Sequence, residues 1–77
     1  REEREQARRR QRETERRAKR LLEVESAIEA KEAELGSLSA VINQPGFYQS
    51  HENPQTLFSQ YAALQKEVES LYGELEK

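Results

Sequence analysis

The chain has 77 residues with a formal net charge of −2, and charged residues (36%) outnumber apolar ones (34%). That length allows one small domain, and that composition excludes a deep globular core. With no Cys there is no disulfide and no thiolate metal site, which fits a reducing, cytoplasmic setting. No apolar run approaches the roughly 18 residues of a membrane span, and no apolar signal segment opens the chain. The first residue is Arg, not Met, as expected of a segment cut from a longer protein.

The small net charge hides an asymmetry. Residues 1–20 hold ten Arg or Lys against five Glu, a net of +5, whereas residues 21–77 hold three Lys against ten Glu, a net of −7. The chain is a basic arm joined to an acidic body.

Within the arm, Ala7 and Ala18 are the only apolar side chains. It has no Gly or Pro, and Arg, Glu, Gln and Ala all favour helix. Glu5 with Arg9, Glu13 with Arg17 and Glu15 with Lys19 are i,i+4 pairs, each worth roughly 0.2–0.5 kcal/mol. The arm is therefore expected to be a helix when something continues it, and to fray alone.

From Leu21 a heptad begins. Leu21, Ile28, Leu35 and Ile42 occupy one core position; Val24, Lys31 and Leu38 occupy the other, with Lys31 the exception. Such 3.5-residue spacing makes a seam for a partner helix. Carried backwards, the register reaches Ala7 and Thr14 at the first position and Arg10 and Arg17 at the second, so the seam dies near residue 20. Gly36 interrupts it at a cost of up to about 1 kcal/mol relative to Ala.

Helix 1, about 21–43, should stop before Pro45, which disfavours α geometry at the preceding residue. Residues 44–53 form the tip, where Gly46 supplies a permissive φ. Phe47 and Tyr48 are too apolar for an idle loop: at least one caps the open end of the seam, or the pair meets a partner. His51 reads as a solvated loop residue with no second metal ligand near it. Asn53-Pro54 signals a helix start, since Asn is a favoured N-cap and Pro at the first helical position gives up no needed N–H. Helix 2, about 54–76, carries Leu57, Tyr61, Leu64, Val68, Leu71 and Leu75 at steps of four and three, widened by Phe58 and Tyr72.

The seams match in length, about 32 Å from Leu21 to Ile42 and about 27 Å from Leu57 to Leu75. The expected fold is therefore all-α: an antiparallel two-helix coiled-coil hairpin over 21–77 with a basic N-terminal helical extension over 1–20. Leu21 then lies near Leu75, and Ile42 near Leu57. So small a hairpin is marginal alone, which leaves room for a weak homodimer or packing on a parent domain.

No phosphate-binding Gly loop, Ser/His/Asp set or Cys/His cluster occurs. Glu23, Glu25, Glu29, Glu32 and Glu34 read as a solvated face, because a catalytic carboxylate pair needs a dry cleft. The expected site is the arm: Arg8, Arg9, Arg10, Arg12, Arg16, Arg17, Lys19 and Arg20, surrounding a helix rather than lining one stripe. Such residues bind phosphates by charge and paired hydrogen bonds without reading bases. The competing reading is a solvated helix of mixed charge. Lys31 and Lys66 could extend the contact.

At this point the residues resemble a family, the C-terminal coiled-coil domain of the ABC-F ATP-binding cassette ATPases, especially the Uup-type branch. The basic lead-in from Arg8 to Arg20 and the first-helix run from Ile28 to Leu38 carry part of the likeness. Pro45-Gly46-Phe47-Tyr48 is similar to the family's tip, and Leu71-Tyr72-Gly73-Glu74-Leu75-Glu76 to its close, without the Trp common there. The resemblance implies a parent ATPase with two nucleotide cassettes and no membrane domain, acting on ribosomes in translation or in DNA-linked processes. It implies a non-catalytic, nucleic-acid-binding appendage whose partners are DNA, ribosomal RNA or tRNA and the parent's ATPase domains. ATP and Mg would belong to that parent, and no cofactor to this segment. The C-terminal arm of valyl-tRNA synthetase, also a helical hairpin, is similar over Asn43 to Phe47. Two further readings stand beside these, a purely structural or dimerisation hairpin and a spacer whose Phe47 and Tyr48 touch a ribosomal or protein partner.

Overall fold

A computed structural model describes residues 1–50 and 52–76. His51, read above as a solvated loop residue, lies outside the described residues. The described residues are all helical in class, with no strand among them: α1 spans Glu2–Ile42, α2 Phe47–Ser50 and α3 Pro54–Glu76. Among the described residues no helix is long and apolar enough to cross a membrane. The molecule is a rod of 71 × 16 × 14 Å.

The basic arm and the first heptad run form one helix of 41 residues, about 62 Å long. Its start is marked by the Glu5 N–H donating to the Arg1 carbonyl at 3.1 Å. Glu2, Glu3 and Glu5 occupy the first turn, where negative charge complements the helix dipole. At the other end Asn43 leaves the helix at φ −88°, ψ 0°. Its N–H donates to the Ser39 carbonyl at 3.0 Å, and its side-chain amide donates to Ser39 Oγ at 3.2 Å. Pro45 lies two residues on, and Gly46 takes φ +79°, a value that favours Gly.

The tip is not a bare loop. Phe47–Ser50 make one helical turn, α2. The N–H groups of Gln49 and Ser50 both donate to the Gly46 carbonyl at 3.0 Å, and Ser50 Oγ donates to the same oxygen at 3.0 Å. That carbonyl anchors the turn. Helix α3 opens at Pro54, with the Thr56 N–H donating to the Asn53 carbonyl at 3.3 Å.

The seam is thin. Val24, Ile28, Phe47 and Leu64 are buried. Leu35, Leu38, Ile42, Leu57, Tyr61, Val68, Leu71 and Leu75 are partly covered. Polar contacts bridge α1 and α3 along the rod: Arg20 Nη2 to Glu74 Oε2 at 2.8 Å, and Lys31 Nζ to Glu67 Oε2 at 2.9 Å. Nearer the tip, Ile42 shares a hollow with Phe58 and Tyr61, while Leu57 lies beside Leu38 and Val41.

Two seam positions depart from the heptad reading. Leu21 remains 47% exposed, although it shares a hollow with Arg17, Arg20, Val24, Glu74 and Leu75. Lys31, the polar exception, lays its stem along the seam and sends its ammonium out to Glu67. That hydrogen bond is the chief reason its pKa is raised above the ordinary lysine value, helped by the charges of Glu67 and Glu34.

Candidate nucleic-acid interface

The arm is exposed from end to end. Every residue from Arg1 to Arg20 is solvent-accessible. The Arg20–Glu74 pair is the contact nearest the arm's root, so residues 2–19 extend about 27 Å past it at 1.5 Å per residue. Helix-favouring residues and i,i+4 geometry hold the arm straight. Gln11 Nε2 donates to Glu15 Oε1 at 3.4 Å, Arg12 Nε donates to the Arg8 carbonyl at 3.4 Å, and Thr14 Oγ1 donates to the Arg10 carbonyl at 2.8 Å.

Because α1 is one uninterrupted α-helix, each residue turns about 100° from the last. The eight basic candidates accordingly spread over about 200° of the helix surface rather than lining one stripe. Arg8, Arg12, Arg16 and Lys19, at offsets of four, eight and eleven, fall within an arc of about 80°. Arg1, seven residues before Arg8, falls in the same arc. Arg10 and Arg17, also seven apart, lie about 150° away, on the side that continues toward Val24 and Ile28. Arg9 and Arg20 stand between the rows on one flank.

Charge along the first row is not pure. Glu5 lies within it and Glu15 beside it, but Glu15 already accepts from Gln11. Among the basic candidates, Arg20 is bound to Glu74 at 2.8 Å and lies 3.6 Å from Glu23, so it is an anchor at the arm's root rather than an open cation. Lys31, expected to extend the contact, is occupied by Glu67, whereas Lys66 is exposed.

The tip pair divides. Phe47 is 2% exposed and Tyr48 70%. Phe47 packs edge-on against Phe58 at 6.0 Å between ring centroids and against Tyr48 at 5.2 Å. Phe47 thus closes the end of the seam, and Tyr48 covers it from outside. Near the other end, the Tyr72 hydroxyl donates to Glu32 Oε1. This bond, followed by desolvation and the charge of Glu32, raises the tyrosine's pKa. Among the described residues no group of three or more His, Cys, Asp or Glu could hold a metal.

The family model for the ABC transporter C-terminal domain matches residues 5–77. The chain belongs to that family, as the resemblance to the C-terminal domain of an ABC-F, Uup-type ATPase implied. It is an appended domain of the kind carried by ABC ATPases. No curated protein and no solved structure matches the chain significantly.

Proposed function

We propose that α1 and α3 form an antiparallel coiled-coil hairpin that presents the basic arm to nucleic-acid backbone, as a non-catalytic appendage of a cytoplasmic ABC-F ATPase acting in translation or DNA-linked processes. The observation that carries this reading is the fully exposed arm, about 27 Å long, with Arg8, Arg12, Arg16 and Lys19 aligned on one face. Consecutive members of that row stand about 6 Å and then 4.5 Å apart along the axis, a spacing suited to a chain of phosphates. Phosphate contacts position a protein without reading sequence, so the binding is sequence-independent.

The test is the salt dependence of binding by the 77-residue chain. Four phosphate contacts give a slope of log K against log salt of about −3 to −4. Replacing Arg8, Arg12, Arg16 and Lys19 together by Gln, which keeps helix propensity, should remove most of the binding and flatten the slope. Equal binding by this variant at low salt would show that the arm is not the site.

The exposed Tyr48 favours a second reading, a spacer whose tip touches a ribosomal or protein partner. In that case Tyr48→Ala weakens the contact while the arm variant leaves it intact. A purely structural or dimerising role instead predicts no nucleic-acid binding and a mass that rises with concentration.

A further inference from the structure

The two broad sides of the α1–α3 pair differ in how their carboxylates are engaged. On one side Glu67 pairs with Lys31, and Glu74 with Arg20. The Tyr72–Glu32 hydrogen bond marks the other side, since Glu67 and Glu74 stand about 140° and 160° from Tyr72 around α3. Around α1, Glu25 and Glu29 fall within about 60° of Glu32, and around α3, Glu69 and Glu76 fall within about 60° of Tyr72. The Tyr72 side thus gathers five carboxylates. The two cations among residues 21–76 turn from it: Lys31 goes to Glu67, and Lys66 lies about 120° from Tyr72. Between the helices this side has an apolar floor. Ile42, Phe58 and Tyr61 share a hollow near the tip, and Leu21 and Tyr72 stand 47% and 46% exposed near the root.

The arm carries the complement of that side. Ala7, Gln11, Thr14, Ala18 and Leu21 share an arc of about 80° around α1, a strip without charge. Thr14 turns its hydroxyl to the Arg10 carbonyl at 2.8 Å, which leaves its methyl outward. Arg10 and Arg17 border the strip about 60–80° from its centre, whereas Arg12, Arg16 and Lys19 stand about 120–180° from it. Lengths also match: the free arm is about 27 Å long, and Glu25 to Ile42 spans about 26 Å. The chain has surface to spare as well. It exposes 6778 Å² at 9.0 kDa, where a compact monomer of that mass exposes about 4,900 Å². The excess is more than the roughly 800 Å² that each partner gives to a standard interface.

We propose that the Tyr72 side binds the arm of a second copy of this chain, forming a reciprocal, two-fold symmetric dimer. Each arm lies antiparallel to the other copy's α1, in the groove between α1 and α3, and makes a three-helix bundle of a thin two-helix seam. With Leu21 on the two-fold axis, residue i of one copy faces residue 42 − i of the other. Ala7 then meets Leu35, Thr14 meets Ile28, and the half-exposed Leu21 meets itself, a continuous heptad layer. Arg10 and Arg17 come level with Glu32 and Glu25 of the other copy and lean toward α3, where Glu69 and Glu76 lie within an arginine's reach. One like-charge pair, Glu15 with Glu29, opposes the association. Arg12, Arg16 and Lys19 point outward from the bundle, so self-association and polyanion contact draw on different cations. The dimer goes beyond the backbone-binding reading and stands without it.

The experiment is sedimentation equilibrium of the 77-residue chain without nucleic acid, between about 10 μM and 1 mM, the range in which weak association titrates. The mass should rise from 9.0 kDa toward twice that value and no further, and 1 M salt should weaken the association by about tenfold or more. Arg10→Glu with Arg17→Glu should weaken it by about a hundredfold or more, because like charges then face each other. So should Glu69→Arg with Glu76→Arg. An equimolar mixture of these two variants restores opposite charges at both arm–body contacts and should dimerise like the parent chain. Arg12→Gln with Arg16→Gln should leave the mass profile unchanged. Circular dichroism checks that each variant keeps its helix, and the mixture gives the same answer from chains that are each monomeric alone. A parent chain that stays monomeric at 1 mM in low salt, a mixture that fails to associate, or loss of the dimer in the Arg12 and Arg16 variant would overturn the proposal. None of these results bears on whether the outward cations bind nucleic acid.

Discussion

Two glycines inside helices offer the sharpest test of the packing described above. Gly36 lies in α1 and Gly73 in α3. A Cβ placed on either meets nothing within 4 Å, so Ala enters without displacing a neighbour. Replacing a mid-helix Gly by Ala gains about 0.8–1.0 kcal/mol, chiefly because the unfolded chain loses freedom. Gly73 adjoins Glu74, whose partner is Arg20, sixteen residues from Gly36 along α1, or about 24 Å. At that separation the two gains should add, to about 1.6–2 kcal/mol. For a domain of this size each kcal/mol moves Tm by about 4–8 °C, so the double variant should melt roughly 6–16 °C higher. The measurement is ellipticity at 222 nm against temperature at one protein concentration. Gly46 is the built-in contrast. At φ +79° an Ala pays about 1–2 kcal/mol for left-handed geometry, and its Cβ would lie 3.2 Å from Gln49 Oε1, so Gly46→Ala should lower Tm. A double variant that melts no higher than the parent, or a Gly46→Ala that melts higher, would refute the reasoning.

Other expectations follow from the tip and from the cross-helix bonds. Phe47→Ala should cost about 3 kcal/mol or more, since it empties the buried end of the seam. Tyr48→Ala should cost no more than about 1.5 kcal/mol, the worth of its ring contacts; urea midpoints that rank the two the other way would sink this assignment. Lys31 and Tyr72 both have raised pKa values in the folded chain, so the stabilisation they give is complete below their ordinary values, about 10.5 and 10. It is lost as pH rises through the raised values. Urea midpoints at about pH 8, 10 and 11 should therefore hold and then fall, and Tyr72→Phe should be less stable at pH 8 with a shallower alkaline loss; an unchanged alkaline loss would count against the Tyr72–Glu32 bond.

Apolar spacing carried much of this fold. Val24, Ile28 and Leu64 lie at heptad positions and are buried, and the other positions of α3's repeat are all partly covered. The repeat could not say how far coverage runs: Leu21 fits it as well as Val24, yet Leu21 is 47% exposed and Val24 3%. The α2 turn escaped notice because four residues carry no period. It is held by local bonds to the Gly46 carbonyl, which composition does not announce. At the candidate site, the basic residue types were evident, but their sorting into rows depended on counting residues along an unbroken helix. Which cations were already engaged was a tertiary matter. Glu67 and Glu74 are distant in sequence from Lys31 and Arg20, and their pairing follows from the register of α3 on α1.

That α1 passes from arm to seam without a break makes the molecule a torsionally stiff shaft. The azimuth of the basic rows relative to the far end of α1, at Ile42, is set by the residue count between them. Deleting one residue near position 20 would swing the rows by about 100° and draw them in by 1.5 Å, whereas deleting seven would shorten the shaft by about 10 Å yet misalign it by only about 20°. Length and phase are thus separate variables. A surface that must meet the rows and the tip together would tolerate the longer deletion better than the shorter one.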